Sequence, residues 1–341
     1  MQRSNPTINI LWCCIILVIA CLAGMSFGSV SIPMGDTVKV ILEGLGLVDS
    51  AEVHAVDRTI LESIRMPRVL LLAIVGAALA ACGAVLQSTF QNPMADPGIL
   101  GISGGGALGA VLATHLGWSE WAMMALPACA FCGAMVSTML VFFLSHLGGR
   151  PSTTSLLLTG VALSALTGAA VSLVLVLSEE YQLREILLWL VGSAHARSWS
   201  HVTASAPIVI IGIILLCLRH REIDALALGD EQAASVGVEV GRARFWLLSL
   251  TALVGGTAVS VAGPIGFVGL MVPNGVRLAV GARAGQSVAL SALVGGAFLV
   301  LCDLLARTVG GSFELPVGIV TAFLGVPYFL WLLTRARRMQ A

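Results

Sequence analysis

One lysine, two tyrosines and no surplus of charge of either sign mark what this 341-residue chain lacks. The single lysine, Lys39, follows Asp36-Thr37-Val38 and not a glycine-rich turn, so the chain has no loop in which a lysine reaches nucleotide phosphates. If ATP drives its work, another chain must hydrolyse it. Eighteen basic residues balance eighteen acidic ones, which removes the basic face that a nucleic-acid binder needs. Charged residues make up only 11% of the chain, against roughly a quarter in soluble domains. Histidine is also sparse. His54, His115, His146, His195, His201 and His220 are scattered, mostly near the ends of apolar runs, and leave a membrane-embedded enzyme without a cluster for metal or acid–base chemistry. The eight cysteines all lie in apolar runs. Cys129-Ala-Phe-Cys132 has no second such pair and no histidine pair to complete a zinc or redox site, and reads as membrane-buried cysteine.

What is present is long apolar sequence: 57% of residues are hydrophobic. Crossing about 30 Å of hydrocarbon takes roughly 17 to 25 apolar residues as a helix, whereas barrel strands alternate over roughly ten. The runs here are of the helical kind, and the spacing predicts an all-α polytopic membrane protein. Spans are expected near 8–28, 68–88, 98–115, 121–146, 154–177, 202–219, 245–263, 268–281, 287–306 and 316–334, about ten in all. Two of them follow forced breaks, at Asn92-Pro93-Met94-Ala95-Asp96-Pro97-Gly98 and at Gly263-Pro264-Ile265-Gly266-Phe267. The first run resembles a signal peptide, with Val18-Ile-Ala-Cys21 as a loose lipoprotein-type site, but it continues past Cys21 to spanning length and reads as an uncleaved span. An even count puts both termini on one side. With the termini inside, ten of the lysines and arginines, Arg3 and Arg150 among them, are cytoplasmic and seven are outside, a bias that favours cytoplasmic termini. No soluble domain or linker interrupts the chain, which reads as a single transmembrane domain over 1–341.

Local motifs sharpen this. Gly104-Gly-Gly106-Ala-Leu-Gly109 fits a dinucleotide fingerprint only formally, because it lies in a membrane run with no preceding strand. Gly101, Gly105 and Gly109 at four-residue spacing instead form a small-residue stripe for close helix packing. Charges within spans are few: Arg277, and near one end Asp303 with Arg307, four apart on one helical face. That scarcity argues against an ion-coupled secondary transporter, the alternative class. Arg65-Met-Pro-Arg68 sets two guanidiniums at the mouth of a span, suited either to an acidic partner or to interfacial snorkelling. Trp189 and Trp199 read as interfacial aromatics. Between two spans, Leu226 to Val238 is charged and helix-favouring. Gly229-Asp230-Glu231 can start a short helix and Gly237 can stop it, giving either a rigid element that presses on a cytosolic partner or a plain loop helix.

Taken in order, Arg65-Met-Pro-Arg68, Gly76-Ala-Ala-Leu-Ala-Ala-Cys-Gly83, Gln87, Gln91-Asn-Pro-Met-Ala-Asp-Pro-Gly98, Gly101-Ile-Ser103, Leu228-Gly-Asp-Glu-Gln-Ala233, Gly263-Pro-Ile-Gly-Phe-Val-Gly-Leu270, Val272-Pro273, Asp303, Arg307 and Glu314-Leu-Pro-Val-Gly318 resemble the FecCD, or type II, family. Its members are permease subunits of ABC importers for iron chelates, heme and cobalamin. The resemblance implies a homodimer of ten-helix subunits in the bacterial cytoplasmic (inner) membrane. Two ATPase subunits would use ATP and Mg on one side, and a periplasmic or lipoprotein substrate-binding protein would dock on the other. It implies a transport subunit that is no enzyme and binds no cofactor or metal of its own. It assigns Arg65, Arg68 and Arg307 to docking of the binding protein, and Leu228, Gly229, Asp230, Glu231, Ala233, Ser235 and Gly237 to ATPase coupling. Span 154–177 would line the translocation pathway, with Ser164, Thr167 and Ser172 on its wall. Ferric siderophore is the expected cargo, with heme and cobalamin as alternatives. The chain departs from the family at Asn274, where members often carry histidine.

Overall fold

The computed structural model describes residues 6–28, 30–48, 53–146, 153–281, 283–309 and 314–340, so Arg3 and Arg150 of the charge comparison lie outside the described residues. The described elements are helical. In chain order they are α1 (Pro6–Ser26), α2 (Met34–Gly44), α3 (Ala55–Thr59), a π-helical turn (Ile60–Arg65), α4 (Met66–Thr89), a 3-10 turn (Pro97–Leu100), α5 (Ile102–His115), α6 (Trp118–Trp121), α7 (Ala125–His146), α8 (Thr153–Leu177), α9 (Glu180–Leu190), α10 (Trp199–Leu218), α11 (His220–Leu226), α12 (Asp230–Ser235), α13 (Val240–Ala262), α14 (Val268–Val280), α15 (Ala284–Val309) and α16 (Val317–Gln340). Each of the ten expected runs coincides with a helix. Among the described residues, however, only seven helices are long and apolar enough to cross a membrane, and Val268–Val280 and Val317–Leu332 are shorter apolar helices. At 1.5 Å per residue, the 14 residues of α5 and 13 of α14 reach only about 20 Å.

Both short helices follow the proline-containing breaks. After α4 ends, the chain turns through Gln91 to Gly101, and Asp96 Oδ1 accepts the Gly98 amide at 2.9 Å to start the 3-10 turn. After α13 ends at Ala262, Gly263 takes φ +74°, a conformation that favours glycine. Irregular backbone at membrane depth survives only where protein surrounds it. Here α4 supplies much of that wall: Gln87 Nε2 donates to Gly269 O at 3.0 Å and Leu270 O at 3.3 Å.

Helix α4 forms the centre, buried along most of its length and packed against α13, α14 and α15. In lipid the hydrophobic effect does not drive helices together, so close packing of small residues carries the association. A Cβ at Gly76 would fall on the Gly295 carbonyl of α15, and one at Gly83 on the Gly269 carbonyl of α14. The glycine stripe of α5 behaves as expected: Gly105 meets Gly133, and Gly109 meets the Cys129 carbonyl of α7.

Several short elements have no counterpart in the apolar pattern. Helices α2 and α3 and the π-helical turn lie inside the expected 29–68 loop, α6 lies between two expected runs, α9 lies inside the expected 178–201 loop, and α11 precedes the expected 226–238 insert. Helix α9 had a signal in the sequence, a capping box in which Glu179 and Gln182 satisfy each other's backbone. Its fold corrects one expectation. Trp189 is not interfacial: α9 packs back on the bundle and buries its ring with Ile186 and Val259, while Trp199 stays half-exposed and donates to Glu62 O at 2.8 Å.

Helix α1 finishes beside Arg65 and Arg307, and α16 begins beside Glu314 at the same end. The start of α1 and the finish of α16 therefore share the opposite end with α11 and α12.

Candidate functional site

At one end of the bundle the three arginines expected to dock a partner come together. Arg68 Nε and Nη2 both donate to Asp303 Oδ1, at 3.1 and 2.9 Å, and Nη1 donates to Glu314 Oε2 at 2.7 Å. Arg307 Nε donates to Asp303 Oδ2 at 2.9 Å, the expected pair four residues apart, and its Nη2 donates to Gly24 O at 2.9 Å. Arg65 caps the end of α1 through Met25 O and Ser26 O at 2.8 and 3.0 Å, and also reaches Val30 O. Gly28 fits between Arg65 and Arg307, where a Cβ would meet both guanidiniums.

In this geometry the three arginines are held by groups of their own chain. Arg65, Arg68 and Arg307 are only 4%, 7% and 7% exposed, and Asp303 is 1% exposed. A guanidinium at low dielectric is costly unless paired, so each first takes carboxylates and carbonyls of its own chain. The exposed member is Glu314, which also meets His195 Nδ1 at 2.8 Å. Burial pushes the Glu314 carboxyl up, but the hydrogen bonds of Arg68 and His195 outweigh it and hold the carboxyl below its ordinary range. Arg68 to Asp303 spans 235 positions of sequence, and no local pattern announced it.

At the opposite end, the expected 226–238 insert folds as α12, and α11 precedes it. Gly229 is buried with φ +118°, Ala233 is fully buried as the anchor, and Gly237, at φ +85°, closes the helix while Val238 N returns to Ala233 O at 3.0 Å. The outer face carries Leu228 and Val236, each 71% exposed, beside exposed Asp230, Glu231 and Ser235. Two side-chain ties join these short helices to the bundle. Arg244 Nη2, buried at the start of α13, donates to Asp230 Oδ1 at 2.7 Å, and Gln91 Nε2 at the end of α4 donates to Leu226 O at 3.2 Å. A push on α12 therefore reaches α13 directly, and one on α11 reaches the end of α4.

Nearby lies a polar network that the sequence did not reveal. Asn274 Nδ2 donates to Pro93 O at 2.9 Å and Leu270 O at 3.0 Å, and its Oδ1 accepts from Arg277 Nη2 at 2.7 Å. Arg277 also donates to Gln87 Oε1. These acceptors are neutral amides, which suits a brace across the 91–97 break better than a charge relay.

Of the three expected pathway residues, Thr167 turns into the bundle. Its hydroxyl donates to Leu163 O at 2.9 Å, and it packs against Gly104 of α5. Ser164 is half-buried, and Ser172 is exposed with its hydroxyl on Gly168 O at 3.0 Å. The open face of α8 is formed by Leu158, Val161, Leu166, Leu173 and Val176. No His, Cys, Met or Tyr occurs between Thr153 and Leu177. Cys129 and Cys132 line an apolar groove of about 370 Å³ between α5, α7 and α8, on the outside of the bundle.

Residues 16–335 match the model of the FecCD transport family. The chain is 44% identical over 284 residues to the cobalamin import system permease protein BtuC of Halobacterium salinarum, covering 83% of this chain and 75% of that protein. It is 42% identical over 282 residues to the hemin transport system permease protein HmuU of Yersinia pestis, covering 82% and 84%. A solved inward-facing conformation of an ABC transporter assigned to the metal-chelate type superposes with a TM-score of 0.83 at 28% identity, covering 97% of this chain and all of that one.

Proposed function

The chain belongs to the FecCD transport family, the permease subunits of ABC importers for iron-siderophore, heme and cobalamin type substrates, and from that premise we propose that it carries an iron chelate, ferric siderophore first. It is a transport subunit of the membrane and leaves catalysis to its partners. It works as one domain of about ten membrane helices, the seven long ones completed by α5, α14 and α16, paired with a second copy. The α11–α12 end faces the cytoplasm with both termini and receives an ATPase subunit, one per permease. The arginine end faces outward and receives the substrate-binding protein.

The observation that carries this reading is a pair of short helices with an exposed apolar and acidic face, α12 tied by Arg244 to α13 and α11 tied by Gln91 to the end of α4. Such an element passes motion from a partner into the bundle and biases it between outward and inward packings. The wall of α8 supports the cargo class. It carries no metal ligand, so it suits a metal whose coordination the chelator already completes. Cobalamin satisfies the same condition and is the second reading, favoured by the similarity to a cobalamin permease.

The test is uptake by a deletion strain complemented with this chain, offered radioiron as siderophore, radioiron as heme, and labelled cobalamin. Siderophore uptake should return and should survive a protonophore while ATP is maintained. Restoration of cobalamin alone would move the cargo to the second reading. Uptake that collapses with the proton gradient would point to an ion-coupled carrier.

A further inference from the structure

We propose that Glu314 is an exchangeable latch: it holds the 191–195 and 314–318 segments to Arg68, and a carboxylate brought by the docking protein takes its place. The inference rests on the reading of this end as the docking face. The two segments form one unit. Gly318 N donates to Gly192 O at 3.2 Å, His195 Nδ1 meets Glu314 Oε2 at 2.8 Å, and a side chain at Gly318 would fall on the Val191 carbonyl. That unit joins the end of α9 to the start of α16.

The guanidiniums below it are not equally committed. Arg65 and Arg307 bond to carbonyls at the end of α1 and just beyond it, Arg307 also binds Asp303, and Arg68 spends Nε and Nη2 on Asp303. Arg68 Nη1 alone turns to Glu314. Asp303 is sealed in the bundle, whereas the Glu314 side chain is 42% exposed, so it is the carboxylate of this cluster that an outside group can reach. An incoming carboxylate replaces one charge-assisted hydrogen bond at Nη1 with another of the same kind, so the exchange is nearly neutral. Once displaced, Glu314 no longer ties the unit to α4. The backbone bond from Ser193 N to Ala262 O at 2.8 Å and the packing of Ala194 and Val317 in the core remain, but the unit loses its ion pair to α4, and the ends of α9 and α16 gain freedom to move against the α4–α15 core. Docking would thus loosen the outward side at the moment the loaded partner arrives.

Amide hydrogen exchange on the full-length permease in lipid nanodiscs tests this, comparing wild type with Glu314→Gln, each alone and with its binding protein. The variant alone should exchange about tenfold faster across residues 180–195 and 314–320, the scale of one charge-assisted bond, with 66–89 unchanged as evidence of an intact fold. The bound partner should produce the same acceleration in wild type and add nothing in Glu314→Gln. Unchanged exchange in the variant overturns the latch. A partner that binds wild type and leaves 180–195 as slow as before overturns the exchange. A partner that does not bind removes the docking reading and the exchange together, while the variant alone still reports the tie.

Discussion

Replacing Asp303 with alanine should cost the folded protein more than any other single side-chain deletion at this end, roughly 3–5 kcal/mol. Asp303 is 1% exposed and accepts from both Arg68 and Arg307, on α4 and α15. Its removal leaves two buried guanidiniums with no carboxylate except the half-exposed Glu314 on one of them. Loss of one partner from a buried network costs far more than replacement of the whole network by apolar groups, since the penalty lies in the uncompensated charge. Asp303→Ala should therefore fail to accumulate or melt early in detergent, and the triple change Arg68→Met, Asp303→Leu, Arg307→Met should regain much of the loss. Thermal unfolding followed by size-exclusion recovery reads both. A triple variant as unstable as Asp303→Ala would show that the network's geometry matters more than its charge balance.

The second large effect is steric. Gly83→Val should abolish packing of α4 against α14, because a Cβ at Gly83 has no space before the Gly269 carbonyl and falls 2.7 Å from the Gly269 Cα. Backbone on both sides means that neither helix can yield by turning a side chain. Separation of α4 from α14 would also break Gln87 from Gly269 and Leu270 and, through Gln87, disturb Arg277. The cost should exceed the roughly 1–3 kcal/mol of ordinary overpacking. Gly241→Ala is the control. Gly241 lies on the exposed start of α13 with open space around it, and alanine there should be neutral or stabilise by about 0.5–1 kcal/mol. Membrane-inserted yield and melting of the two variants should differ widely; similar behaviour would contradict the contact.

Helix positions were readable because lipid imposes a simple rule on sequence, and the two breaks were readable because proline and glycine announce themselves locally. Gly229 and Gly237 framed α12 for the same reason. What escaped were features set by distant partners. Arg68 looked like a surface residue beside a proline, and only the fold brings α15 to it. Trp189 looked interfacial because its burial depends on α9 folding back. Asn274 was visible as a departure from the family pattern, but its bonds to Pro93 and Arg277 require α14 to lie against the 91–97 break. Helices α2, α3, α6, α9 and α11 were missed because each is too short and too polar to register as a span, although the Glu179–Gln182 capping box marks α9 once it is sought.

The proposed role of α11–α12 is to transmit the work of a separate ATPase. Its most direct test is cargo uptake in the complemented strain with wild type or Glu231→Arg. Glu231 is fully on the outer face of α12, away from the Asp230–Arg244 tie, so the substitution leaves the bundle's own contacts in place. With equal amounts of permease in the membrane, uptake should fall at least about tenfold, as expected when a charge at an interface is reversed against its partner. Uptake that persists in Glu231→Arg and vanishes on adding a protonophore would contradict the claim.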